Sequence, residues 1–351
     1  MLLDPETWEL AQVLDEVHPR MSPELASHVT AETHAGALEL STGVHRSVAG
    51  ASAELAGLRA RLAGELHGFG LRAGAAGTHP TAVWQDIRVS AGARYQLLHR
   101  SMRELARREP TFALHVHVGV SDGEAAVDLA NRLRAHVPLL LALSANSPFW
   151  QGRDSGLASS RTPVFGTFPR TGIPRRYASL EDWAGSIAPL IDSAAIPEPT
   201  FLWWDVRLQP LIGTVEVRVM DAQTTSDDTT ALVALVHSLA RLETTEGFAC
   251  EALLDAQEVL AENRFLAARD GVEARLVQAD RSERLPVRAL AEDVLEACAP
   301  HAEALGCAGE LQLVQGLLDR PPAQRQRYAG LGQVAERLAQ EFCARDRVAT
   351  V

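Results

Sequence analysis

Three short runs of strict apolar–polar alternation limit the folds open to this chain more than any other feature. In GTVEVRVMD (213–221), Val215, Val217 and Val219 face one way and Glu216 and Arg218 the other. FLWWDVRL (201–208) gives Asp205 and Arg207 a common parity, and in FALHVHVGV (112–120) Val116, Val118 and Val120 oppose His115 and His117. Side chains two apart on a β-strand share a face, so each run reads as a strand with one apolar side and one ionisable side. Such strands make an antiparallel sheet that packs its apolar face on helices. Taken singly, Asp205 with Arg207 and Glu216 with Arg218 would serve only in cross-strand ion pairs on an open face. Three together, as His-His, Asp-Arg and Glu-Arg, favour a site on the opposite face.

Helical periodicity fills much of the remainder. Leu55, Leu58, Leu62 and Leu66 recur at helical spacing within 47–67, and Gly68 and Gly70 end that run. A short strand over 71–76 leads into GTHP (77–80), and a helix over 91–108 stops before Pro110. Ser121 or Asp122 caps a helix running to Ala135. Residues 151–178 read as a long irregular loop whose Arg153, Arg161, Arg170, Arg175 and Arg176 form a basic patch; loops beyond ~12–15 residues are often functional. After Asp227 the pattern is helical over 227–249, 254–268, 286–298 and 322–345, broken only by ARLV (274–277). The expected class is α+β, one domain over 1–351 with a sheet-containing part (1–225) and a mostly helical part (226–351).

Composition removes several function classes. A net charge of −12 argues against a nucleic-acid surface. No run of eighteen apolar residues offers a membrane span, and MLLDPETWEL lacks the basic, then apolar, order of a signal peptide, so a cytoplasmic location is expected. Cys250, Cys298, Cys307 and Cys343 show no CxxC spacing and read as buried thiols. All 33 basic residues are arginine, which excludes a Walker-A lysine, a Schiff-base lysine and a lysine base. Phosphate chemistry would rest on arginine, metal ions and backbone amides. Glu39, in ALELSTG (37–43), adds a carboxylate among apolar neighbours. Oxygen-rich sites with one imidazole suit Mg²⁺ or Mn²⁺ better than zinc.

In order, LELSTG (38–43), GTHP (77–80), HVHVGV (115–120), LLALSANSPFWQGRDSGLASSR (140–161), WDVR (204–207), TVEVRVMDAQTT (214–225) and ENRFLAARDG (262–271) resemble the carboxylate–amine ligase family called glutamate–cysteine ligase type 2. The resemblance implies a glutamine-synthetase-like fold: an antiparallel sheet curved into a funnel, helices outside, ATP and divalent metals on the inner face. It implies that ATP phosphorylates the side-chain carboxylate of glutamate and that an amine, such as that of cysteine, attacks the γ-glutamyl phosphate. Carried over by motif, Glu39, His115 and Glu216 would bind Mg²⁺ or Mn²⁺, and Arg218 would contact the transferring phosphate or the substrate carboxylate. His117 would act beside them, Asp205 and Arg207 would line the site, and Ser144, Asn146 and Arg161 would shape the substrate and nucleotide pocket. The apolar C-terminal helices could support a homodimer.

One departure stands against this likeness. Members open with a strand reading roughly Gly-Val-Glu-Glu-Glu-Phe, whereas here Leu3, Asp4 and Pro5 match only the segment after it. The expectation is either a start further upstream or a weakened ligase, at the extreme a non-catalytic binder of nucleotide or amino acid. A metal-dependent hydrolase is the remote alternative, since HxH also occurs on amidohydrolase strands. Those barrels need repeated βα units with later His and Asp ligands, and His237 and His301 fall instead in helical runs.

Overall fold

Two antiparallel ladders carry the polar side chains in the computed structural model, which describes residues 1–108, 110–280 and 282–343. The first is a hairpin of β1 (Val29–Ala31) and β2 (Leu38–Leu40) that sets Thr30 opposite Glu39. The second joins β3 (Val116–Gly119), β4 (Val206–Gln209) and β5 (Thr214–Val217) in the order β4–β5–β3. The three alternating runs are therefore neighbours. Their register aligns Arg207, Glu216 and His117 across one face and Val206, Val217 and Val116 across the other.

The apolar face is the floor of the main core. Val215 and Val217 are fully buried and pack with Val206 and Leu208 in one cluster with helix residues. Among the helices are α1 (Val48–Gly68), α2 (Ala93–Met102), α3 (Gly123–Ser144), α4 (Ser226–Thr245), α5 (Gln257–Asp270) and α6 (Val287–Leu305). Side chains satisfy the first turns of three of them: Ser47 for α1, Asp122 for α3 and Thr225 for α4 each accept a backbone N–H. The α+β class expected from sequence is the observed one, and the strands are short ladders with no closed barrel among the described residues.

Several boundaries differ. α3 continues past Ala135 through Pro138, and every residue from His136 to Ser144 is buried, so packing on the sheet and on α4 and α5 offsets the missing backbone donor. Residues 151–178 are not structureless: Arg153–Asp154 pairs with Phe149–Trp150, Arg161–Phe165 is helical, and Thr171–Gly172 runs parallel to Trp203–Trp204. The expected 322–345 helix divides into Pro322–Ala329 and Val334–Glu341 at Gly330, whose φ of 77° ends the first piece; its last two residues lie outside those described. Of the four thiols only Cys298 and Cys307 are buried, while Cys250 and Cys343 are exposed. No described helix is long and apolar enough to cross a membrane.

Candidate active site

The two ladders face a common cavity of about 290 Å³, lined by β1–β2 residues, by the polar face of β3–β5 and by Arg94, Tyr95 and Leu98 of α2. Glu216 is its centre. β5 aims the side chain off the polar face and cross-strand register puts Arg207 beside it. Oε2 accepts from Arg207 Nε (2.9 Å) and Nη2 (2.7 Å) and from Gln209 Nε2 (3.0 Å), and Oε1 accepts from Arg218 Nη1 (2.6 Å). His115 Nδ1 and His117 Nε2 each lie 3.5 Å from Oε1. Arg207 is further fixed by donation to the Thr200 and Leu202 carbonyls.

Burial alone would raise the Glu216 carboxyl. The hydrogen bond from His117 and the charges of Arg218 and Arg207 outweigh it and hold the group well below the usual carboxylate range. Burial, then the charge of Arg218, pushes His115 well below its ordinary value, so its imidazole is neutral at pH 7. The Nε of Arg218 is a buried donor without an acceptor among the described residues. That donor is suited to an anion.

Opposite this wall stand two acids. Glu32 follows β1 and Glu39 lies on β2, so the hairpin brings them together. Burial first, then the charge of Glu39 and a hydrogen bond with it, raises the Glu32 carboxyl to about 7, against the pull of the Thr33 N–H and Arg218. The proton retained toward neutrality is therefore one held on Glu32. Sequence reasoning found Glu39 and missed Glu32; the signal was an acid seven residues earlier in VTAETH (29–34), across a turn whose pairing only the fold reveals.

The structure divides the expected metal ligands. Glu39 belongs to the acid pair, whereas Glu216 is filled by Arg207, Gln209 and Arg218, and His115 stands beside Glu216. Among the described residues no three His, Cys, Asp or Glu side chains converge to hold a metal. Hard oxygen donors are nonetheless present in Glu32 and Glu39, and this pair fits a divalent cation by its chemistry.

Other expected residues take different positions. Arg207 lines the cavity, but Asp205 does not: the strand breaks there between Trp203–Trp204 and β4, and its carboxylate turns to Arg264 Nε of α5 at 2.5 Å. Ser144, Asn146 and Arg161 also do not line it. Ser144 Oγ donates to Leu140 O, within the last turns of α3. Asn146 binds the Asp221 carboxylate through its backbone N–H and donates its side-chain amide to Ala222 O. Arg161 donates to the Val219 and Arg218 carbonyls and so braces the backbone that carries Arg218. A more open recess of about 520 Å³ beside Tyr328 and Arg337 is formed by the last helices and shares no residue with this cavity.

The sequence profile of glutamate-cysteine ligase family 2 matches residues 3–340. A Rubrobacter xylanophilus protein provisionally named glutamate–cysteine ligase 2-3 is 38% identical over 97% of this chain and 94% of its own. A Sorangium cellulosum protein provisionally named glutamate–cysteine ligase 2 is 39% identical over 82% of this chain and 77% of its own. In fold, the crystal structure of glutamate–cysteine ligase from Francisella tularensis in complex with AMP matches with a TM-score of 0.72 at 13% identity, covering 99% of this chain and 88% of that one. On the profile match and these relatives, the chain belongs to the glutamate–cysteine ligase family 2.

Proposed function

We propose that this chain is an ATP-dependent carboxylate–amine ligase of the glutamate–cysteine ligase type, acting in the cytoplasm through a γ-glutamyl phosphate. One observation carries the reading: a single cavity sets the unpartnered Arg218 Nε and neutral His115 against the Glu32–Glu39 pair. The AMP held by the Francisella tularensis enzyme of the same fold supports a nucleotide as co-substrate.

Glu32 and Glu39 would hold Mg²⁺ or Mn²⁺, which when bound neutralises phosphate charge. Arg218 donates from Nε to the transferring phosphoryl group or the glutamate carboxylate, and Glu216 keeps Arg218 and Arg207 aimed. The acceptor nitrogen attacks the acyl carbon, the carbon–oxygen bond to phosphate breaks, and inorganic phosphate leaves. His117, partly exposed with Nδ1 3.0 Å from Thr214 Oγ1, takes the amine's proton. The test is ADP release by the purified protein with ATP, a divalent cation, glutamate and each amino-acid acceptor in turn. ADP and a γ-glutamyl product are expected only with a complete mixture. Nucleotide binding with ADP release at background throughout overturns the reading.

A further inference from the structure

Among the cationic side chains lining the cavity, Arg94 is held differently from the rest. Arg207 and Arg218 grip the buried Glu216, and His115 and His117 stand against the same carboxylate. Arg94, in the first turn of α2, has its Nη1 on Glu198 Oε1 at 2.6 Å and its Nη2 on Thr200 Oγ1 at 3.1 Å, with both charged side chains more than two-fifths exposed. Exposed ion pairs contribute little, so exchanging this carboxylate for another is cheap. Glu198 keeps a partner after such an exchange, because Thr200 Oγ1 donates to it at 2.6 Å. The guanidinium also lies over the Phe201 ring, 4.5 Å from its centroid, which holds its plane while its partner changes. The Tyr95 hydroxyl donates to Ala31 O and ties this turn of α2 to β1, beside the acid pair.

We infer that Arg94 recognises the free α-carboxylate of an amino-acid substrate, exchanging Glu198 for it. The inference rests on the ligase reading and assigns to Arg94 the discrimination of an amino-acid substrate from its decarboxylated counterpart. A planar guanidinium and a carboxylate meet through two parallel hydrogen bonds, a geometry an amine alone does not supply. Arg218 then serves the phosphoryl end and Arg94 the carboxylate end of one cavity.

Calorimetric titration of the full chain, with Mg²⁺ and a non-hydrolysable ATP analogue, tests this with two pairs: glutamate against γ-aminobutyrate, and cysteine against cysteamine. Arg94→Gln is expected to weaken one acid about tenfold or more and leave its decarboxylated partner unchanged. Glu198→Gln, which releases Arg94, is expected to tighten the same acid. The pair that responds identifies the carboxylate as the donor's or the acceptor's. A folding defect would weaken binding in both variants, so opposite signs are diagnostic. The inference is overturned if Arg94→Gln leaves both acid-to-amine ratios flat, if Glu198→Gln weakens binding, or if the unaltered chain binds none of the four. Because binding is read without turnover, flat ratios in a chain that releases ADP sink this inference alone. Responding ratios in a chain without ADP release sink only the ligase reading.

Discussion

Glu216 is buried with two guanidiniums pointing at it, and neither can be left alone at low cost. Substituting Glu216→Gln removes the charge that Arg207 and Arg218 share, and breaking a buried pair from one side costs about 3–5 kcal/mol. Urea unfolding at pH 7 should show a loss of that size. Since the folded carboxyl is held below its unfolded value of 4.5, its contribution is present above that pH and fades as pH falls further into the acid range. The Glu216→Gln variant should lose that part of the acid slope. Glu32 has the opposite sign. Its folded value of about 7 lies above 4.5, so the folded state binds the extra proton and stability drops as pH rises between those values. Glu32→Gln should flatten that drop, and Mn²⁺ should raise the melting temperature of the unaltered chain more at pH 8 than at pH 5.5, with the effect lost in the variant. An equal Mn²⁺ effect at both pH values would count against the acid pair as the cation's ligands. His115, His117, Glu216 and Arg218 were legible because parity along a strand fixes their face. Glu32 and Arg94 were not, because they enter from a turn and a helix whose approach to the sheet has no periodic signature.

At the scale of elements, alternation was the most reliable signal, since one apolar face must be buried wherever the other is polar. Val217 is fully buried in that face, and Val217→Thr would bury a hydroxyl in the apolar cluster at about 1–3 kcal/mol. A chemical melt showing no loss would mean that the face is less tightly packed than its burial implies. Alternation failed at Asp205, where the chain changes partner from Thr171–Gly172, beside Trp203–Trp204, to β5, beside β4, and no spacing in FLWWDVRL announces that break. Its carboxylate joins the strand break to α5 through Arg264. Arg264→Met should therefore cost about 3 kcal/mol by leaving a buried acid unpaired, with Asp205→Asn/Arg264→Met regaining part of it. The end expected at Ala135 falls short for a related reason: tertiary burial carries α3 on through Pro138.

At the scale of the molecule, the helical part after residue 225 shares its core with the strands. Val116, Val215 and Val217 belong to the same apolar cluster as Leu235 and Leu239 of α4 and Cys298 and Ala302 of α6. Arg59, buried on α1, ties the junction together: its guanidinium donates to the Gln223 and Thr224 carbonyls, to Thr229 Oγ1 and to the Phe342 carbonyl. Gln326 reaches Asn146 in the same way from a late helix. We therefore propose that the two parts fold as one cooperative unit. A cut at 225/226 would expose the floor of the sheet, with several fully buried side chains each losing roughly 1.5–3 kcal/mol of burial. Marginally stable domains do not survive such losses. Residues 1–225 expressed alone should lack the near-ultraviolet signature of packed tryptophans, and the whole chain should unfold in one transition seen alike by circular dichroism and tryptophan fluorescence. Arg59→Met should lower the midpoint of that transition without splitting it. Two separated transitions, or a folded 1–225 fragment, would show instead that the strands and the C-terminal helices are independent.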